Sequence, residues 1–312
     1  MKKYCFGVDV GGTTVKIGLL TTAGELLEKW EIPTDKREDG GHILTDIADA
    51  IEKKLTEKNL KKSDVEGVGI GVPGAVLPDG TVNRCVNLGW GVKKVGEELS
   101  GILSLPVRVG NDANVAALGE MWQGGAKGHK DVLMVTLGTG VGGGLIIGGK
   151  IITGFHGAGA EIGHIVVNKD EAEACNCGNK GCLEQYASAT GNVRMTKKLL
   201  EKDPADSALR KGELTAKAIF DAAREGDALA KQAVAGYCET LGFGLAAACN
   251  TANPEIVVIG GGVSKAGQSL VDAAYAAFQK YAFHALKDTV FTLATLGNDA
   301  GMYGSARLIL DE

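Results

Sequence analysis

One histidine and three cysteines stand close enough in this sequence to close around a metal ion. His164, Cys175, Cys177 and Cys182 are spaced H-x10-C-x-C-x4-C within the string HIVVNKDEAEACNCGNKGC. Three thiolates and an imidazole make a complete tetrahedral set for structural zinc. Gly178 and Gly181 permit the sharp turns that would bring Cys182 back toward Cys177. Disulfides or buried free thiols are the alternative. An odd total of 7 Cys, a histidine nearby and no recognisable secretion signal favour the metal. The other four, Cys5, Cys85, Cys238 and Cys249, sit in apolar or isolated contexts and are expected to be inert core residues.

A second set of residues suits phosphates. Gly11-Gly12-Thr13, Gly138-Thr139-Gly140 and Gly260-Gly261-Gly262 each follow an apolar run. Glycine lets backbone N–H groups approach a phosphate with no Cβ in the way, and threonine adds a hydroxyl. Asp9, on the run before the first turn, is placed to orient hydrated magnesium. Two other motif readings fail on context. Residues 138–143 fit the G-x-G-x-x-G dinucleotide pattern, but the apolar run GLII follows where that pattern needs a helix. Residues 144–150 have Walker spacing, but Ile151 stands where Ser or Thr should hold magnesium.

A third set could handle a polyhydroxyl substrate. Asn111-Asp112 follows the strand-like Val107–Val109 and precedes a helix expected from about Ala113. Asp112 there is either a helix N-cap or a general base, and the residues alone favour the cap. Glu161 and His164 lie three apart, and Glu184 lies two beyond Cys182. Two carboxylates and an imidazole offer the acceptors and donor that a ring of hydroxyls needs. His164 has two ring nitrogens, one for zinc and one for a hydroxyl. Solvated loop charges are the plainer reading of the two glutamates.

The elements that must carry these residues can be read from the pattern. YCFGVDV, VKIGLLT and LLEKWEI, separated by glycine turns, form an antiparallel meander. His42–Lys58 is helical, with Ile43, Ile47, Ile51 and Leu55 on one face, and Val65–Val72 is a buried strand. Residues 132–147 overlay the N-terminal meander with a constant offset of 127, Gly138 falling on Gly11 and Ile147 on Leu20. That repeat implies two similar domains. Helices are expected over Thr215–Glu225 and from about Asp227 to Cys249, ended by Asn253-Pro254. PEIVVIGGGVS reads as strand, glycine turn and helix entry; Val290–Ala294 is a short strand, and Asp299–Leu310 a closing helix. No low-complexity linker is present, so the domain boundary is expected near residue 115. The first domain then spans 1–115, completed by the helix at about 300–312, and the second spans 116–299 with the zinc segment 164–182.

Composition sets limits. The chain of 312 residues is 45% hydrophobic and 23% charged, ordinary for a soluble protein of two domains. A net charge of −5 leaves no basic footprint for nucleic acid. The longest uncharged stretch, Val132 to Gly149, has 18 residues of which seven are glycine, a poor membrane helix. A cytoplasmic enzyme with no membrane partner is the expectation.

Taken in order, VDVGGTTVKIGLL, GVPGAV, Asn111-Asp112, the stretch from Leu137 to His164, CNCGNKGCLE and GGGVS resemble the ROK family of repressors, open-reading-frame kinases and sugar kinases. The resemblance covers essentially the whole chain, and the zinc segment is its most specific part. The loop from His164 to Cys175 looks one residue longer than in many relatives. The resemblance implies the actin-like (ribonuclease H-like) ATPase fold, with two similar α/β domains around an interdomain cleft that holds ATP and Mg2+. It implies ATP-dependent phosphorylation of a hexose at its primary hydroxyl, with glucose the leading substrate. N-acetylmannosamine, N-acetylglucosamine, fructose and allose are the alternatives. It makes Asp112 the catalytic base, reversing the cap reading. Asn111, Asp112, Glu161, His164 and Glu184 become sugar contacts, and Asp9, Gly11, Gly12, Thr13, Gly138, Thr139, Gly261 and Gly262 become nucleotide contacts. A sugar-responsive repressor is the rival class, but such members carry a helix-turn-helix before the ATPase part, and here the first strand begins at about Tyr4. The family also implies a homo-oligomer, dimer or tetramer.

Overall fold

The computed structural model describes residues 2–310. Its first five-stranded sheet has the order β3-β2-β1-β4-β5, built from β1 (Tyr4–Val10), β2 (Thr14–Thr21), β3 (Leu26–Pro33), β4 (Val65–Val72) and β5 (Val107–Asn111). β1 pairs antiparallel with β2 and parallel with β4. The meander expected from the glycine turns is therefore present. β1 and β4 are buried almost throughout because each has neighbours on both edges, whereas β3, the edge strand, alternates half-buried and exposed residues.

Helices fill in around this sheet. After the four-residue turn α1 (Arg37–Gly40) comes α2 (Ile43–Glu57), whose buried Ile43, Ile47, Ile51 and Leu55 are the face read from the sequence. α3 (Val95–Leu103) precedes β5, and α4 (Asp112–Gln123) leaves β5 without a connecting residue. The second sheet has the order β10-β9-β6-β7-β8, from β6 (Val132–Leu137), β7 (Val141–Ile147), β8 (Lys150–Ile151), β9 (Ile256–Gly260) and β10 (Val290–Leu293). Read from β8 inward, this is the order of the first sheet, with two parallel strands added beside the first hairpin in each case. The duplicated unit seen in the sequence is thus a duplicated topology. The remaining helices are α5 (Glu184–Ala187), α6 (Ala189–Lys202), α7 (Ala216–Glu225), α8 (Ala228–Ala252), α9 (Gln268–Tyr281) and α10 (Ala300–Leu308). α8 stops at Asn253, which takes left-handed angles before Pro254. β7 is the strand that rules out the dinucleotide reading of residues 138–143.

The chain divides into two compact units: Met1–Lys130 with Gly144–Gly159 and Thr295–Glu312, and Asp131–Gly143 with Ala160–Ala294. The division falls after Lys130 and not near residue 115, because α4 belongs with α10. Gly304 and Gly119 make that crossing possible: a Cβ on Gly304 would lie 1.5 Å from the Val115 carbonyl oxygen, and one on Gly119 2.2 Å from that of Ala300. On its other side α10 lies on the first sheet, where a Cβ on Gly7 or Gly69 would meet the Met302 or Ser305 carbonyl oxygen at 2.0 and 1.6 Å. The end of the expected closing segment, residues 311–312, lies outside the described residues.

Candidate active site

In the first unit the acidic groups gather where β1 and β5 end. Asn111 is the true cap of α4. Its Oδ1 accepts the N–H groups of Ala113 (3.0 Å) and Asn114 (3.2 Å), and its Nδ2 donates to the Gly74 carbonyl at 3.0 Å. Asp112 is the first helical residue and remains open to solvent. The surrounding chain still desolvates its carboxyl enough to raise its pKa, outweighing the Ala113 N–H that donates to Oδ1 at 2.8 Å. Asp9 is raised further, to about 6, by burial, with Lys16 lowering it and Asp112 adding to the rise. Space for the Asp9 carboxyl exists because residue 301 is glycine: a Cβ there would sit 2.7 Å from Asp9 Cγ.

The turn after β1 is held by Thr34. Its hydroxyl donates to the Gly11 carbonyl at 2.7 Å and its N–H to the Thr13 carbonyl at 2.9 Å, while Gly11 N–H donates to Thr14 O at 3.0 Å. Gly11, Gly12 and Thr13, with Asp9 and Asp112, thus belong to one unit.

The second unit gathers the cysteine cluster. The ligand atoms of His164, Cys175, Cys177 and Cys182 all lie within 4.8 Å of one another. Cys177 Sγ and Cys182 Sγ are 3.7 Å apart, and Cys175 Sγ is 3.9 Å from His164 Nδ1. Sulfurs about 2.3 Å from a tetrahedral zinc ion stand roughly 3.8 Å from each other, so the cluster fits the ion, whereas a disulfide needs about 2.0 Å. All seven cysteines are free, and Cys5, Cys85, Cys238 and Cys249 are buried. Burial pushes the Cys182 thiol up to about 12, and the Asn179 backbone N–H holds that of Cys177 below its usual value. Ligation by a dication supplies the charge that crowded thiolates require. Nδ1 of His164 faces the sulfurs, which leaves Nε2 on the other edge of the ring.

Glu184 opens α5, directly beyond the cluster. Oε2 accepts the Val141 N–H at 3.0 Å, Oε1 lies 3.7 Å from Cys175 Sγ, and a Cβ on Gly140 would meet Oε2 at 2.2 Å. It is no solvated loop charge. Glu161 is exposed, and its carboxylate has no partner among the described residues. It follows Ala160, whose φ of 61° is unusual for a residue with a side chain. The turn Ile162–His164 is fixed against β7 at Gly163, where a Cβ would lie 2.1 Å from the Val141 carbonyl oxygen.

Two of the three glycine turns meet in this unit. Gly261 (φ 85°) packs on the backbone of Leu137, the residue before Gly138, with no room for a Cβ. Gly138 N–H donates to Gly140 O at 3.0 Å, and Ala189 N–H to Gly138 O at 2.8 Å. Beside Gly262 lies a cavity of about 320 Å3 whose walls include Ala189, Phe220 and Val263. Its rim carries Asp221, paired with both Lys217 and Arg224. This cavity leaves no mark in the sequence, because α7 carries no local signal beyond its amphipathic stripe. Gly140 lies in the turn Gly138-Thr139-Gly140 beside the expected contacts Gly138 and Thr139.

The sequence profile of the ROK family matches residues 5–312. The chain belongs to the ROK family. This ROK protein is 47% identical over 313 residues to a glucokinase of Halalkalibacterium halodurans, covering 98% of this chain and 95% of that one. Its fold superposes on the ROK hexokinase of Thermus thermophilus with a TM-score of 0.82, at 30% identity and coverage of 97% and 96%. It superposes on a ROK family glucokinase of Streptomyces griseus, solved with glucose and AMPPNP, with a TM-score of 0.74, at 35% identity and 98% coverage of both chains. The ROK fold of this chain is accordingly the actin-like ATPase fold expected from the resemblance. No helix among the described residues is long and apolar enough to cross a membrane.

Proposed function

We propose that this protein transfers the γ-phosphoryl group of ATP to the primary hydroxyl of glucose, forming glucose 6-phosphate and ADP. The observation that carries the reading is the 47% identity to a glucokinase over nearly the whole chain. The site chemistry agrees with it. Asp112 is spared capping by Asn111 and has a raised pKa, which suits a group that takes the proton of a hydroxyl as that oxygen attacks phosphorus. Asn111, Glu161, His164 and Glu184 are proposed to hold the hexose, with His164 offering Nε2 and Glu161 its unpartnered carboxylate.

Main-chain amides of the turns at Gly11, Gly12 and Thr13, at Gly138 and Thr139, and at Gly261 and Gly262 are proposed to hold the nucleotide phosphates. The cavity beside Gly262 suits the nucleoside, and Asp9 orients the hydrated Mg2+ that accompanies ATP. His164, Cys175, Cys177 and Cys182 hold a structural zinc ion, which supplies the cross-link that keeps His164 and Glu184 in place. Water must be excluded at the moment of transfer, since it would otherwise accept the phosphoryl group. The reading also includes a cytoplasmic location and a homo-oligomer.

The test is ADP release, followed by a coupled assay, across glucose, fructose, allose, N-acetylglucosamine and N-acetylmannosamine with ATP. Glucose should give the highest kcat/KM. Higher kcat/KM for another hexose would move the substrate, and no release with any of them would end the kinase reading.

A further inference from the structure

The direction of an amide in a glycine turn is set by its carbonyl partner. A trans peptide is planar, so its C=O and N–H point to opposite sides, and whatever engages the carbonyl aims the following N–H the other way. In the second unit three successive peptides obey this. The Gly138 carbonyl accepts from Ala189 N–H at 2.8 Å, and the Thr139 carbonyl from the Thr190 hydroxyl at 2.6 Å. The Gly140 carbonyl accepts from Gly138 N–H at 3.0 Å, and the next N–H, that of Val141, goes to Glu184. Two N–H groups are left, those of Thr139 and Gly140. They have no partner among the described residues, and both face away from α6.

Thr190 is itself oriented. Its oxygen lies 3.0 Å from Ser188 Oγ, which caps α6 by accepting Gly191 N–H at 2.9 Å. The Thr190 proton is committed to Thr139 O, so the Ser188 hydroxyl donates to Thr190. The first unit repeats the device at its own turn, where the Thr34 hydroxyl donates to the Gly11 carbonyl at 2.7 Å and turns the Gly12 N–H outward. Thr34 lies 23 residues beyond Gly11, and Thr190 lies 51 beyond Thr139.

We propose that Thr34 and Thr190 are positioning residues for nucleotide binding, each a hydroxyl pin that aims the free amides of a phosphate-holding turn. The inference rests on the kinase reading and adds to it: phosphate affinity depends on two side chains that themselves touch no phosphate. Valine has the shape of threonine and lacks the hydroxyl, and serine keeps it.

The experiment compares wild type with Thr190→Val, Thr190→Ser, Thr34→Val and Thr34→Ser. ADP binding with Mg2+ is measured by titration calorimetry without sugar, KM is measured separately for ATP and glucose, and circular dichroism checks folding. The valine variants should weaken ADP binding and raise KM for ATP about tenfold, with KM for glucose within about twofold of wild type and serine restoring both values. Folded valine variants with wild-type ADP affinity overturn the inference, as does an equal rise in both KM values. A valine variant that fails to fold leaves the decision to the serine variant, whose failure to hold ADP as tightly as wild type also overturns it. Wild-type protein that binds no ADP overturns the kinase reading as well, whereas wild-type turnover alongside indifferent valine variants overturns this inference alone.

Discussion

Asn111 accepts the N–H groups of Ala113 and Asn114, the second and third residues of α4, on its own side chain, so Asp112, one residue further on, is not needed to cap the helix. The two roles that a carboxylate at this place could fill are thereby divided between neighbours. Asp112→Asn should leave thermal stability and sugar binding close to wild type while lowering kcat at least about a hundredfold, the usual scale for a lost general base. Equilibrium sugar binding, a melting curve and steady-state kinetics on one preparation check all three. Turnover near the wild-type rate would return Asp112 to a purely structural part.

Removal of one thiolate tests the metal centre. Wild-type protein should carry one zinc per chain, and Cys177→Ser should lose it and raise KM for glucose by about tenfold or more, because His164 and Glu184 flank the cluster. Metal content is read by a colorimetric zinc assay after dialysis. A zinc-free preparation with unchanged KM would contradict the structural role.

Asp9 gives a prediction with a definite sign. Its pKa of about 6 in the folded chain exceeds the ordinary 3.8, so the native state holds the proton more tightly than the unfolded state does. Stability therefore declines as pH rises from about 4 to 6, and at pH 7 the ionised group costs at most about 3 kcal/mol. Asp9→Asn should be more stable than wild type at pH 7.5, should match it below pH 4, and should lose activity. Urea unfolding at the two pH values decides the point; a variant less stable at pH 7.5 would show that burial is not what governs this carboxyl.

The crossing of α4 and α10 tolerates no side chain at its centre. Gly304→Ala places a methyl group against the Val115 carbonyl, and should destabilise the fold by about 2 kcal/mol or more. Gly128→Ala is a poor control because of its φ of 98°, whereas Gly101→Ala, on α3 with open space, should leave the unfolding midpoint nearly unchanged or raise it. Equal midpoints for the Gly304 and Gly101 variants would refute the packing argument.

Much of this was legible in the residues, for physical reasons that also explain the omissions. The meander, α2 and β4 follow from local periodicity, and the cysteine cluster fits within 19 residues of chain. The repeat at an offset of 127 anticipated that the two sheets share one strand order. Asn111 was harder: both it and Asp112 are good caps, and only the backbone angles decide between them. Thr34 and Thr190 left no trace, since a hydroxyl that engages a carbonyl 23 or 51 residues away has no pattern of its own. The place of α4 in the first unit was likewise invisible, because it depends on Gly119 and Gly304, far apart in sequence, meeting at one helix crossing, and that of residues 144–159 because Gly144 packs on Ala113 and Ala117 of α4.

α10 lies over β1 and β4 yet is made long after them. On the ribosome the second unit can collect most of its strands and helices while the back of the first sheet is still bare, for the helix that covers it emerges after them. Any nascent chain halted before residue 300 leaves an uncovered hydrophobic sheet, a natural target for chaperones. The order of synthesis thus delays completion of the packing around Asp9, which Gly301 of α10 adjoins, until long after β1 has been made.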